Sequence, residues 1–184
     1  MKYFILILSF ILSIIFTTST FSNDELISKL QSGGNIVFIR HAIAPGSGDP
    51  ENFDLNDCNT QRNLSEHGIN QSKKIGEFFR QNNIPIDKVL SSEWCRCKDT
   101  AKYAFKNFET FNALNSFYDE KFYKLKDKQL NDLRKLIKDW DGNKNLILVT
   151  HFVVISEILN IGVSSGEIVI SNNNYKVIET IDTK

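Results

Sequence analysis

The chain carries no excess charge of either sign, with 22 lysines and arginines against 22 aspartates and glutamates. A polypeptide without a net field has no general attraction to nucleic acid or to anionic lipid, so any anion site in it must be local. Histidine is scarce as well. The three present, His41, His67 and His151, show no metal-ligand spacing. Cysteine is limited to Cys58, Cys95 and Cys97, and the tight Cys-x-Cys pair has no histidine near it, which argues against zinc. No repeat and no low-complexity tract occurs. Long apolar runs are also missing, except at the start.

That exception reads MKYFILILSFILSIIFTTSTFS. Lys2 gives a positive flank, Tyr3 to Phe16 is nearly continuous apolar sequence, and Thr17 to Ser22 is small and polar. The apolar stretch falls short of the roughly 20 residues that span a bilayer, so the pattern is that of a secretory signal peptide cut near Ser22 rather than a retained anchor. The expected layout is a signal peptide over 1–22 and one domain over 23–184. The mature protein is then expected to be periplasmic or secreted, without stable membrane insertion. In an oxidising compartment the cysteines become disulfide candidates. Cys95 and Cys97 lie too close to close a useful loop, whereas Cys58 with either would constrain about 40 residues and contribute a few kcal/mol. Cys58–Cys95 is the favoured pair, with three unpaired thiols as the alternative.

Past the leader, NDELISKLQSGGN has a polar start, apolar Leu26, Ile27 and Leu30, and a Gly-Gly stop, which predicts a short helix. Ile36 to Ile39 reads as a buried strand that stops abruptly on Arg40 and His41. A polar loop follows from Ala42 to Asn63, with two prolines, two glycines and several acidic residues, and loops of that length in compact domains are usually functional. Ser65 can cap the next helix, whose apolar face holds Ile69, Ile75, Phe78 and Phe79. KVLSS reads as a strand, RCKDTAKYAFKNF and KQLNDLRKLIKDWDG as helices, and NLILVT as a strand ending at His151. The tail GEIVISNNNYKVIET predicts a hairpin around Asn172 to Asn174 at the sheet edge. Alternating helices and apolar strands predict a single α/β domain of three layers, a mostly parallel central sheet with helices on both faces.

In such sheets ligands bind beyond the carboxyl ends of the strands. Three strand ends here carry related side chains: Arg40 and His41, then Arg96, then His151. A guanidinium grips two phosphate oxygens and stays charged, while an imidazole can attack phosphorus and later leave. Together the four suit a phosphoryl group, with charge stabilisation from Arg40, Arg96 and a protonated His151 and no metal or other cofactor.

The ordered segments IRHA (Ile39 to Ala42), RNLSEHGINQ (Arg62 to Gln71), SSEWCRCKDTA (Ser91 to Ala101) and VTH (Val149 to His151) resemble the histidine phosphatase superfamily, which includes phosphoglycerate mutases and phosphohistidine phosphatases. The resemblance implies His41 as the phosphorylated nucleophile, Arg40, Arg96 and His151 as the phosphate pocket, and Arg62 at its entrance. Ala42 and Ile43 stand where many mutases have Gly and Glu, which weakens a mutase assignment. The family's acid usually follows the second arginine, where LNSFYDEKF offers Asp119 and Glu120, with Asp119 ranked first. His67 is expected at the surface. Trp94 and Phe152 flank site residues, as pocket walls or as core. The implied activity is that of an exported phosphoric monoester hydrolase of the histidine acid phosphatase type, acting through a phosphohistidine on a small-molecule or envelope phosphoester such as a phosphosugar, with no nucleic-acid partner. The lipopolysaccharide core heptose phosphatase is a precedent for an envelope substrate. Two alternatives are a phosphohistidine phosphatase acting on protein and a non-catalytic phosphate-binding module.

Overall fold

The computed structural model of the chain describes residues 23–184. The expected signal peptide, 1–22, lies outside the described residues. Two strands form the middle of the sheet, β1 (Ile36–Arg40) and β4 (Asn145–Thr150), and their apolar runs lack any polar alternation because both of their faces are covered. They pair in parallel, Ile36 opposite Leu146 through Arg40 opposite Thr150. On the far side of β4 lies β2 (Ile86–Ser91), also parallel, followed by the two-residue β3 (Glu109–Thr110). On the far side of β1 the tail adds a hairpin of β5 (Ile168–Ser171) and β6 (Val177–Ile181), both antiparallel to their neighbours. The resulting order is β3-β2-β4-β1-β5-β6, a mixed six-stranded sheet.

Successive side chains on a strand face opposite ways, and this divides the core in two. Val37, Ile39, Val89, Ile147 and Val149 pack on one side with Leu26 and Leu30 of α1 (Asn23–Gln31), Ile75 and Phe79 of α2 (Glu66–Gln81) and Ala101 and Ala104 of α3 (Cys95–Phe105). Ile36, Phe38, Leu90, Leu146 and Leu148 pack on the other side, against Leu130, Leu133 and Ile137 of α5 (Lys126–Asp139) and Val154 and Ile155 of α6 (Phe152–Leu159). The three-layer α/β architecture expected from the sequence is the one observed.

Two glycines of α2 let the backbone approach where no side chain fits. A Cβ at Gly76 would sit 2.0 Å from the Ala104 carbonyl oxygen, and one at Gly68 would sit 2.1 Å from that of Ile43. The first draws α2 against α3; the second seats the start of α2 on the chain just beyond His41. Ser65 caps α2 as expected, accepting from the Gly68 amide at 3.2 Å. Strand β3 and the four-residue α4 (Glu120–Tyr123) were not legible in the sequence, since elements so short carry no periodic signal. Among the described residues, no helix is long and apolar enough to cross a membrane.

Candidate active site

The parallel register sets the site. Arg40 lies opposite Thr150 and Ser91 opposite Val149, so the residues immediately beyond, His41, His151 and Ser92, emerge side by side at one sheet edge. Two further ladder-type bonds hold them there: the His41 amide donates to the Thr150 carbonyl at 2.9 Å, and the Ser92 amide to the Val149 carbonyl at 2.9 Å. Helices α3 and α6 both begin at this edge, directing their positive ends toward it. His41, Arg96 and His151 are all buried, and a cavity of about 190 Å³ opens over them, with Arg40, Arg62 and Asp49 in its wall.

His41 Nδ1 lies 2.8 Å from the carbonyl oxygen of Ala42. A carbonyl can only accept, so Nδ1 carries the proton and Nε2 keeps its lone pair. Burial, and after it the positive field of Arg96 with lesser contributions from Arg40 and Arg62, holds the imidazole well below its ordinary pKa. His41 is thus neutral near pH 7 and has one defined nucleophilic nitrogen.

The second imidazole packs against the first, ring centroids 5.5 Å apart and edge to face. His151 Nε2 is 2.8 Å from Ser92 Oγ and 3.4 Å from the Cys97 sulfur. Burial first, then Arg96 and His41, push His151 well below its ordinary pKa as well. The protonated His151 expected from the sequence is therefore disfavoured in this setting, because desolvation and the surrounding guanidiniums all oppose another positive charge. Cys97 is buried, and burial pushes its thiol up to about 12, so it sits beside His151 as a neutral thiol.

Three guanidiniums converge around the imidazoles. Arg40 donates to the Val163 carbonyl at 2.7 Å and lies over the Phe152 ring, 5.6 Å from its centroid. Arg62 donates to the carbonyls of Ala44 and Gly48. Arg96 is gripped end-on by Asp49, Nη1 to Oδ1 at 2.7 Å and Nη2 to Oδ2 at 3.1 Å. The Nε atoms of Arg40 and Arg96 are buried without a hydrogen-bond partner. Charged donors so arranged leave hydrogen-bonding capacity for an oxyanion.

The long loop between β1 and α2 supplies part of this wall, and a covalent bond ties it down. Cys58 is joined to Cys95, the favoured pairing, while Cys97 is free. A 3₁₀ turn at Cys58–Thr60 presents the loop's half of the bridge, and Gln61 Oε1 accepts from the Cys95 amide at 2.9 Å. The bridge thus joins the loop to the first residue of α3, next to Arg96.

Asp119 stands at the rim of the cavity as the cap of α4, accepting from the Lys121 amide at 3.1 Å, with its side chain 48% exposed. Glu120 is exposed on the same short helix. His67 is exposed, as expected. Trp94 lines the cavity and stacks on Phe53, so it is both wall and core, whereas Phe152 is largely wall. Sequence reasoning missed Asp49 and Ser92. Ser92 lies within a quoted segment and has no signal beyond its place after a strand. Asp49 is one of several acidic residues in the loop, and its pairing with Arg96 spans 47 positions.

The sequence model of the histidine phosphatase superfamily (branch 1) matches residues 36–113, the span that holds Arg40, His41, Arg62 and Arg96. Over that span the chain resembles the histidine phosphatase superfamily. Over 41 residues it is 49% identical to the 2,3-bisphosphoglycerate-dependent phosphoglycerate mutase of Staphylococcus aureus (strain JH9); the match takes in 22% of this chain and only 18% of the mutase. Among solved structures it resembles the protein histidine phosphatase SixA complexed with tungstate, at 13% identity and a TM-score of 0.55, over 81% of this chain and 97% of that one. A mutant phosphoserine phosphatase from Entamoeba histolytica in complex with phosphoserine gives 14% identity and 0.58, over 82% and 98%. Phosphoglycerate mutase from Thermus thermophilus gives 13% and 0.57, over 80% and 98%. At such identities the structural likeness is one of fold.

Two outcomes follow from this geometry. Non-reducing peptide mapping should recover Cys58 crosslinked to Cys95, with Cys97 the one thiol alkylated after denaturation. Replacing the pair by serine should lower stability by about 2–4 kcal/mol, and three alkylatable thiols in the unreduced protein would contradict it. The second outcome concerns pH. Both imidazoles titrate lower in the folded chain than in the unfolded one, whose histidines have a pKa of about 6.5, so below that value the unfolded chain binds more protons. Stability should therefore fall as the pH drops through about 6.5, by up to about 1.4 kcal/mol per pH unit for each imidazole. Urea midpoints between pH 7 and 5.5 should show the slope, and His41→Asn with His151→Asn should flatten it; an unchanged slope in the double variant would assign it to other groups.

Proposed function

We propose that the protein is a phosphomonoesterase that passes a phosphoryl group from its substrate to His41 and then to water. The observation that carries this reading is the His41 imidazole, neutral, with Nδ1 committed to the Ala42 carbonyl and Nε2 left free among three guanidiniums. In the first step Nε2 attacks phosphorus and the ester P–O bond breaks. Arg40, Arg62 and Arg96 offset the negative charge spread over the equatorial oxygens. The leaving oxygen takes a proton from Asp119 at the rim, the carboxyl group on the open side of the cavity. In the second step water attacks the phosphohistidine, its proton returns to Asp119, and the P–N bond breaks to release phosphate. An arriving dianion reverses the field around His151 and favours the protonated form that donates to a phosphoryl oxygen.

The substrate reading is an exported enzyme acting on an envelope phosphosugar. The apolar leader supports export, and the Cys58–Cys95 bond favours an oxidising compartment. Trp94, Tyr118, Phe122 and Phe152 around the cavity offer flat faces to a ring-shaped leaving group.

His41→Ala should abolish hydrolysis of p-nitrophenyl phosphate while the fold persists, and Arg96→Ala should lose at least about 2 kcal/mol of transition-state stabilisation. Rapid quenching at alkaline pH should trap an acid-labile phosphoenzyme in the native protein alone. Near-normal turnover by His41→Ala, or trapped phosphate on serine or aspartate, would overturn the mechanism. Export is tested by mass spectrometry of the protein released from the producing cell: a start near Asn23 is expected, and a full-length chain held in the membrane would refute it.

A further inference from the structure

Resting on the phosphatase reading, a further role emerges for the loop carboxylate of Asp49. It accepts four hydrogen bonds at once: two from the Arg96 guanidinium, one from the Trp94 indole at 3.1 Å and one from the Arg62 amide at 3.1 Å. These donors come from three places, the α3 helix, the residue that precedes it and the far end of the loop. We propose that Asp49 is a positioning residue for phosphoryl transfer: it clamps the end of the Arg96 guanidinium so that the Nε edge is the one presented to the phosphoryl oxygens.

The guanidinium fork has an end, Nη1 and Nη2, and a side that includes Nε. Asp49 takes the end in a two-point grip, which fixes rotation as well as place. The side is left with its Nε buried and unpartnered, and Arg40 shows the same buried, unpartnered Nε nearby. Two such atoms in the wall of one cavity point to an oxyanion bound between them. Charge leads to the same assignment. Beyond burial, Arg96 disfavours the charge of Arg40 and of Arg62, while the carboxylates of Glu167 and Asp49 support them, so Asp49 offsets part of a positive field suited to a phosphate monoester dianion. Asp49 is poorly suited to be the proton donor for the leaving group. Its oxygens already accept bonds, and although burial alone would push its carboxyl up, Arg96 holds it below the usual carboxylate range.

The test uses the purified protein and its Asp49→Asn, Arg96→Ala and doubly substituted forms, each checked for a cooperative melt. Should Asp49→Asn fail to fold, Asp49→Glu, which keeps the charge but displaces the grip, takes its place. Asp49→Asn should lower kcat/KM about 10- to 100-fold, equally for p-nitrophenyl phosphate and for glycerol 2-phosphate, whose leaving group is poorer. Inhibition by orthovanadate should weaken by a similar factor. In the Arg96→Ala background the same substitution should cost almost nothing, because its effect runs through Arg96. Three results would overturn the assignment. Tighter binding of orthovanadate or inorganic phosphate in Asp49→Asn would make the carboxylate a stand-in that shuts the site. A loss confined to glycerol 2-phosphate would make it the acid. Losses that add to those of Arg96→Ala, or no loss at all, would leave it only a structural part of the loop. If the native protein neither hydrolyses these esters nor binds phosphate, the phosphatase reading fails with it; native activity without an Asp49 effect removes the Asp49 assignment alone.

Discussion

The in-register parallel pairing of β1 with β4 is the constraint from which the rest of the molecule takes its arrangement. Five consecutive residue pairs, Ile36 with Leu146 through Arg40 with Thr150, end at the same level. The next residue on each strand is a histidine. A slip of one position would send His41 and His151 to different heights and turn every core side chain to the opposite face. Burial on both faces resists that slip, since Val37, Ile39, Ile147 and Val149 belong to one core and Ile36, Phe38, Leu146 and Leu148 to the other. The hydrophobic pattern of two strands thus sets the spacing of the two imidazoles at their ends.

That spacing creates an electrostatic problem, and the loop after β1 answers it. Three arginines share one buried edge, and burial first, then the field of Arg96, disfavours the protonated form of both histidines. Neutrality is what a nitrogen nucleophile needs, so for the role proposed for His41 the field is useful. For the arginines it is a cost, offset by main-chain carbonyls from Ala44, Gly48 and Val163 and by the carboxylate of Asp49. Every one of these acceptors except Val163 lies in the stretch between His41 and α2. A loop with its own regular structure would have spent those carbonyls on itself.

The central strands and both histidines were legible because they obey strong local rules: an apolar run without alternation, then a polar stop. Arg96 was legible for a related reason, being in the first turn of a helix that starts just past a strand. The tail hairpin followed from Asn172 to Asn174 between two apolar runs. Asp49 obeys no such rule. It shares its loop with Glu51, Asp54 and Asp57, and only the fold shows that Asp54 and Asp57 serve as turn caps while Asp49 reaches Arg96. The protonation of His151 differs from the sequence expectation for a physical reason. The role proposed for it in transfer calls for a proton, but the charge on a buried imidazole depends on what else is in the cavity, and a sequence gives neighbours along the chain rather than across it.

The disulfide gives the loop a rigidity that its composition would not. Glycines at 46 and 48 both have positive φ, and between them and the body stand the hydrogen bonds of Asp49 and the stacking of Phe53 on Trp94. A cross-link between Cys58 and Cys95 pins the loop beside the residue that Asp49 must reach, because Cys95 precedes Arg96. Gly68 adds a second fixed point, seating α2 against Ile43 at the loop's other end. Between these anchors the chain has little freedom left, so Asp49, Arg62 and the carbonyls of Ala44 and Gly48 are held before any substrate arrives. Electrostatic stabilisation of phosphoryl transfer works only if the charges need not reorganise as the bond breaks. In the mechanism proposed for this fold, that preorganisation rests on the Cys58–Cys95 bond, the close approach at Gly68, the four hydrogen bonds to Asp49 and the packing of Phe53 and Leu55 against the core.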